Sequence, residues 1–168
     1  MDILTTRAYR TISNHEIAEV RQKLSNKQNA LFALRSYQPG EVIADFSAGT
    51  ISAEPTYLTV QVGVNKHITL QPEFLQYINH SCNPNVFFDT STMQLVALKE
   101  LQVEEELTFF YPSTEWQMTQ SFNCYCGSNA CIGDIKGAAY LSKEVQERYR
   151  FTDFIQQQLA KRAARKVA

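Results

Sequence analysis

The sequence predicts a mainly β fold with peripheral helices and a helical C-terminal segment. Three observations predict it. The first two thirds of the chain break into short apolar runs separated by turn residues. One run, Tyr57 to Val64, alternates Tyr57, Thr59 and Gln61 against Leu58, Val60 and Val62 with the period of a strand. From Ser142 onward the apolar spacing becomes helical. The chain has 168 residues, 44% of them hydrophobic and 20% charged, which suits one globular core and excludes a disordered or fibrous chain.

Taken in order, Ala30–Leu34 and Val42–Phe46 are expected strands around the turn Tyr37-Gln38-Pro39-Gly40, where Pro and Gly supply turn chemistry. Tyr57–Val64 is the next strand, and Gly63, Asn65 and Lys66 allow a turn into His67–Leu70. Pro72–Tyr77 is expected to be one helical turn. Val86–Asp89, Leu95–Lys99 and Glu106–Tyr111 are three further strands. Ser142 followed by Glu144 opens a helical pattern that carries Val145, Tyr149, Phe154, Ile155 and Leu159 on one face, as one long helix to about Arg165 or two shorter ones. Those apolar residues are read as core packing, and the helix could also serve a homodimer.

The net charge is -1, so no global basic field announces a nucleic-acid partner. After Asp153 no acidic residue follows, while Lys161, Arg162, Arg165 and Lys166 crowd the end. Cations suit a helix C-terminus, and that reading is preferred to a contact with an acidic partner. Met1–Arg10 has no apolar core of a secretory signal, and no run approaches a membrane span. The expectation is a soluble intracellular protein, cytoplasmic or nuclear, with no membrane partner, in a compartment where cysteines bind metal more often than they form disulfides.

Cys124, Cys126 and Cys131 lie within Cys-Tyr-Cys-Gly-Ser-Asn-Ala-Cys, and Gly127 allows the chain to bend tightly there. A structural zinc site takes four ligands, and the one remaining cysteine is Cys82. The tight cluster favours a zinc site of Cys82, Cys124, Cys126 and Cys131 over buried thiols or a disulfide. Around Cys82, the run Asn79-His80-Ser81-Cys82-Asn83-Pro84-Asn85 packs amides, an imidazole and a thiol about a proline, between apolar Tyr77-Ile78 and Val86-Phe87-Phe88. Buried polar groups need partners, so this segment reads as a loop that holds something. Glu105-Glu106-Leu107-Thr108-Phe109-Phe110-Tyr111 is an apolar strand that ends in aromatics.

Together the three segments are specific. Asn79–Asn85 resembles the Asn-His-Ser-Cys-x-Pro-Asn signature of SET-domain protein lysine methyltransferases, and Glu106–Tyr111 resembles the Glu-Leu-x-x-Asp-Tyr signature that follows it. Cys124–Cys131 is similar to the family's Cys-x-Cys-x4-Cys post-SET element, and Ala30–Ile43 to its opening strands. The resemblance spans about residues 19 to 133. It implies a SET-domain fold of small curled β-sheets with a pseudoknot. It divides the chain into an N-terminal extension (1–18), a SET domain (19–120), a post-SET zinc element (121–137) and a C-terminal helical extension (138–168).

The resemblance also implies roles. S-adenosylmethionine and the target lysine of a protein substrate, histone or not, would enter from opposite faces and meet in a narrow channel. Tyr111 takes the catalytic position. Asn79 and His80 are expected on the cofactor, with Gln28, Ala30, Leu31 and Tyr57 around it and Ile132 against the adenine. Phe109, Tyr111 and Trp116 would line the substrate channel. Phe109 stands where Tyr limits relatives to monomethylation, so di- or trimethylation is expected. Some positions depart from the family: its two early glycines align with Gln28 and Ala30, its Asp before the catalytic Tyr is Phe110, an upstream Arg is Gln76, and a pre-SET cysteine cluster is missing. Two other function classes fit parts of the sequence: a catalytically silent SET-like interaction module, and a zinc-stabilised adaptor that contacts nucleic acid through its basic C-terminus.

Overall fold

A computed structural model describes residues 8–167. The reading of Met1–Arg10 falls mostly outside that range. In chain order the first strands are β1 (Tyr9–Asn14), β2 (Ala18–Lys23), β3 (Asn29–Ala33), β4 (Val42–Asp45), β5 (Ser47–Ser52), β6 (Val60–Gly63) and β7 (Lys66–Gln71). A helical turn, Glu73–Tyr77, leads to β8 (Asn79–His80), β9 (Val86–Asp89), β10 (Gln94–Ala97) and β11 (Thr108–Phe109). A second turn, Tyr111–Ser113, is followed by the hairpin of β12 (Phe122–Asn123) and β13 (Asp134–Ile135), then by α1 (Lys143–Gln146) and α2 (Asp153–Val167).

The strands form small sheets, as expected. Three are antiparallel and three-stranded, ordered β1-β2-β3, β4-β10-β9 and β5-β7-β6. Leu31, Val20, Ile68, Leu75, Phe88 and Leu95 meet between them in one core, each no more than 2% exposed. β1 lies within the stretch expected to be an N-terminal extension, yet it is the edge strand of the first sheet. Expected Tyr57–Val64 shortens to β6 because Thr56 and Thr59 close a polar turn, the Thr59 hydroxyl donating to the Thr56 carbonyl at 3.0 Å. Expected Glu106–Tyr111 shortens to β11 because Pro112 has no N–H to continue a ladder. β5 carries a single large apolar residue, Ile51, 63% exposed, so it lacks the alternation that marks a strand in sequence.

The remaining two-stranded pairing places the site. β8 and β11 are parallel, Thr108 opposite Asn79 and Phe109 opposite His80. Asn85 locks them. Its backbone N–H donates to the Thr108 carbonyl at 3.1 Å, and its side-chain oxygen accepts the Thr108 N–H at 2.8 Å. Its amide donates to the Glu106 carbonyl at 2.8 Å and to the Glu105 carboxylate at 3.3 Å. The residue is buried, so each of these groups would otherwise lack water. On the far side, the Leu107 N–H donates to the Leu31 carbonyl at 2.8 Å and ties the same segment to β3.

The C-terminal segment breaks into two helices. Ser142 caps α1, its hydroxyl accepting the Val145 N–H at 3.2 Å. Phe151 and Ile155 are buried against Phe110, Ile135, Ala138 and Leu141 in a second core. Each such side chain contributes roughly 1.5–3 kcal/mol. Phe110, which stands where the family has Asp, stacks on Tyr149 at 3.7 Å between ring centroids and 6° between planes. The Tyr149 hydroxyl donates to the Cys82 carbonyl at 2.7 Å. Arg162 is not free for a partner: its guanidinium donates to the carbonyls of Ala138, Ala139 and Leu141. Among the described residues no helix is long and apolar enough to cross a membrane.

Asn85→Ala strips three hydrogen bonds from a buried junction and is expected to destabilise the fold by roughly 2–4 kcal/mol. Urea unfolding followed by far-UV circular dichroism measures it; a loss under about 1 kcal/mol would show that the junction is not locked through this side chain.

Candidate active site

Two cavities lie on either side of Tyr111. The smaller, about 600 Å³, is lined by Gln28, Ala30, Asn79, His80, Glu106, Tyr111, Phe122 and Tyr125, among others. The larger, about 1090 Å³, is lined by Tyr57, Leu58, Ile78, Phe109, Tyr111 and Glu115, among others. Gln28, Asn79, Tyr111 and Phe122 line both and form the wall between them.

The position of Tyr111 follows from its neighbours. Its N–H donates to His80 Nδ1 at 3.1 Å and its hydroxyl to the Ile78 carbonyl at 3.4 Å. Its ring packs at 4.7 Å from Phe109 and 5.9 Å from Phe122, centroid to centroid. Burial, together with the Glu106 carboxylate, pushes its hydroxyl up to about 12, so it remains a protonated, neutral donor. Burial pushes the His80 imidazole down to about 4. Since Nδ1 accepts a backbone N–H, the proton of the neutral ring sits on Nε2, which faces Cys82 Sγ at 3.4 Å.

Asn79 is held between strands, its amide donating to the Asn29 carbonyl at 2.9 Å and to Glu106 at 3.3 Å. Gln28, which stands at an early glycine position of the family, donates its amide to the Asn79 side-chain oxygen at 3.3 Å. Ala30 lines the smaller cavity with Gln28. Leu31 is fully buried and lines neither cavity; its contribution is the carbonyl that anchors Leu107. Tyr57, 86% exposed, stands at the mouth of the larger cavity and not in the smaller one. Ile132 packs in the second core and lines neither cavity, while Phe122 and Tyr125 supply the aromatic surface of the smaller one. Trp116 lines neither; its N–H donates to the Gln61 side-chain oxygen at 2.9 Å.

The four cysteines converge. Their sulfurs all lie within 4.8 Å of one another, with Cys82 Sγ 3.9 Å from Cys124 Sγ and 4.0 Å from Cys131 Sγ. A tetrahedral zinc with Zn–S bonds of about 2.3 Å sets its sulfurs about 3.8 Å apart, so the cluster fits that ion. All four thiols are free, and a disulfide would need about 2.05 Å. Gly127 at φ +74° and Gly133 at φ +74° make the bends around Cys126 and Cys131. The Cys124 N–H donates to the Gly133 carbonyl across the base of the β12–β13 hairpin. Burial pushes the Cys82 thiol far above its ordinary range and Cys124 up to about 11; a divalent cation supplies the charge that lets such sulfurs ionise.

Among the cavity residues that the sequence motifs do not point to are the acid Glu115 and the aromatics Phe122 and Tyr125. Glu115 is buried, and burial pushes its carboxyl up to about 8. Its Oε1 accepts the Gln61 N–H at 3.0 Å and the Thr114 hydroxyl at 3.2 Å. An acid in a loop after a strand carries no local signal of burial, because the strand that covers it is 54 residues away.

The fold and site thus define a small β protein with two cavities joined at a tyrosine and a four-sulfur element closing one end. Residues 28–112, just over half of the chain, match the family model described as SET domain. The chain belongs to the SET-domain methyltransferase family. It is 40% identical over 123 residues to "Methyltransferase flvH" of Aspergillus flavus, an alignment that covers 72% of this chain and 68% of that protein. It is 40% identical over 63 residues to a histone-lysine N-methyltransferase, H3 lysine-36 specific, of Candida albicans, covering 34% of this chain and 7% of that protein. The corresponding Schizosaccharomyces pombe protein is 30% identical over 87 residues, 48% of this chain and 11% of its own length.

Cys126→Ser is expected to abolish stoichiometric zinc and to lower the melting temperature by roughly 5 °C or more. Elemental analysis and calorimetry check it; full zinc content in the variant would remove Cys126 from the ligand set.

Proposed function

We propose that this protein transfers methyl groups from S-adenosylmethionine to the side-chain amine of a lysine in a protein substrate, histone or non-histone. The observation that carries this reading is the pair of cavities that share Tyr111 as a wall. The smaller would take the cofactor and the larger the lysine. When bound, the cofactor supplies an electrophilic methyl group. Zinc at Cys82, Cys124, Cys126 and Cys131 would hold residues 121–137 as a post-SET element over the cofactor. The Nε2–H of His80 directed at Cys82 is the hydrogen bond that such a thiolate attracts.

The residues around Tyr111 act through alignment. A protonated amine has no lone pair, and burial among Phe109, Phe88 and Ile78 lowers the pKa of a lysine. Tyr111 stays neutral, so its hydroxyl offers a lone pair or a proton without adding a charge that would hold the amine protonated. The Ile78 carbonyl, 3.4 Å from that hydroxyl, accepts its proton and leaves the oxygen lone pairs free. Holding both reactants in line recovers roughly 7–11 kcal/mol of a bimolecular barrier. Phe109 lines the larger cavity without the hydroxyl a tyrosine would add, which supports di- or trimethylation.

The histone relatives' names favour a histone lysine among the possible substrates. The inward use of Arg162 weakens the adaptor reading. The side chain of Gln28 laid on Asn79 is the observation that favours a silent module, since it occupies an acceptor the cofactor would use.

Calorimetry on zinc-loaded wild type is expected to show saturable S-adenosylmethionine binding, and wild type is expected to methylate a mixed core-histone preparation. Tyr111→Phe is expected to bind the cofactor equally and to lose about 100-fold in kcat. Absence of cofactor binding by folded, zinc-loaded protein would select the silent module. Phe109→Tyr is expected to shift the product toward monomethyl-lysine by mass spectrometry; wild type yielding monomethyl-lysine alone would overturn the assignment.

A further inference from the structure

Glu115 is a buried carboxyl that the alignment mechanism does not use. It lies in a wall of the larger cavity that is otherwise mostly apolar. Its Oε1 is fully engaged by the Gln61 N–H and the Thr114 hydroxyl. Its Oε2 takes no hydrogen bond from the described residues, and it is not among the sealed polar atoms that lack a partner. Glu115 lines the cavity, and Oε2 keeps the lone pairs that Oε1 has committed to Gln61 and Thr114. The carboxyl is held rigidly, because Glu115 N–H donates to the Tyr111 carbonyl at 3.1 Å and its own carbonyl accepts the Ala138 N–H at 2.9 Å.

We propose that Glu115 is a specificity-determining residue of the larger cavity, whose Oε2 receives the ammonium of the incoming primary amine before its transfer toward Tyr111. This inference rests on the assignment of the larger cavity to the substrate.

The chemistry follows from what surrounds the group. A cation that enters an apolar cavity loses hydration, and a fixed carboxyl that ionises beside it, releasing its proton to water, offsets that cost. Among the described residues Glu115 is the sole carboxylate lining this cavity, and the sole cation, Lys27, is exposed at the rim. Among the described residues no charged side chain neutralises Glu115: its partners are a backbone N–H and a hydroxyl, and burial alone drives its pKa up. A carboxyl in that state gains most from an arriving cation, since the cation returns the charge that burial suppresses. Alcohols and neutral amides of the same shape gain nothing comparable. The residue thus selects a cationic amine over a neutral isostere.

Trp116, the one tryptophan of the chain, adjoins Glu115 and provides the readout. Zinc-loaded wild type is titrated with n-butylammonium chloride, which is the lysine side chain without its backbone, and with n-butanol as the neutral control. The Trp116 fluorescence is expected to change saturably with n-butylammonium and not with n-butanol. Glu115→Gln keeps an oxygen for Gln61 and Thr114, and is expected to weaken n-butylammonium binding by about tenfold or more. Its affinity for S-adenosylmethionine is expected to match wild type, and its loss in methyl transfer to appear in KM more than in kcat. Equal n-butylammonium affinity of the two proteins, in wild type that methylates histones, would overturn this inference and leave the methyltransferase reading standing. Charge-selective binding that depends on Glu115 in a protein that binds no cofactor would do the reverse. Should Glu115→Gln fail to fold, wild type alone decides, because equal responses to n-butylammonium and n-butanol would overturn the inference.

Discussion

The parallel contact of β8 with β11 is the constraint on which the rest of the site depends. It is only two residues long on each side, too short to persist by its own backbone bonds. Asn85 supplies what the pair lacks, because its side chain imitates a peptide group and extends the ladder past the end of β11. The signature needs Asn there because no other side chain of that length offers one acceptor and two donors in a plane. Once the pair is fixed, Asn79, His80, Phe109 and Tyr111 follow in consecutive registers. His80 then faces the smaller cavity and Phe109 the larger, while Asn79 and Tyr111 stand in the wall between them.

Two further devices hold that junction from outside. The sulfur cluster takes Cys82 from the loop after β8 and three cysteines from the β12–β13 region, so a metal there would tie the hairpin to the junction. The C-terminal segment does the same through apolar contact. Phe110 stacks on Tyr149, and the Tyr149 hydroxyl reaches the Cys82 carbonyl. A carboxylate at this position would need a partner in a core lined by Phe151, Ile155 and Leu141. An aromatic ring converts the position into an anchor for the tail, and Arg150 adds a rim contact to Asp89 at 2.8 Å. The basic end is drawn inward by the same logic, since Arg162 satisfies carbonyls that end the Ala138–Tyr140 turn.

Much of this was legible in the sequence, and the limits were physical. The cysteine spacing, the polar run about Pro84 and the aromatic strand end each signal locally, because their chemistry needs near neighbours. The strands with alternating or continuous apolar runs were legible for the same reason. β1, β2 and β5 were not: Ser13, Glu19, Arg21 and Gly49 give them little apolar pattern, and they are strands because neighbours complete their ladders. In the site, Tyr111, Asn79 and His80 meet as the motifs imply. Glu115, Phe122 and Tyr125 gave no signal, since their burial or cavity position is created by residues far away in the chain. Ile132 and Trp116 line neither cavity, because adjacency in sequence to a motif does not set the direction of a side chain.

The electrostatics of the junction favour alignment over charge. The groups nearest its centre, the Tyr111 hydroxyl and the His80 ring, are both held neutral by burial. The carboxylates sit to either side, Glu106 on the smaller cavity and Glu115 on the larger. A fixed anion at the centre would stabilise an ammonium there and oppose the loss of its proton. Here the acids line the cavities at the sides, and Glu115 gains its charge only when a cation arrives beside it. The site thus keeps neutral groups at Tyr111 and His80 and places its acids in the cavity walls.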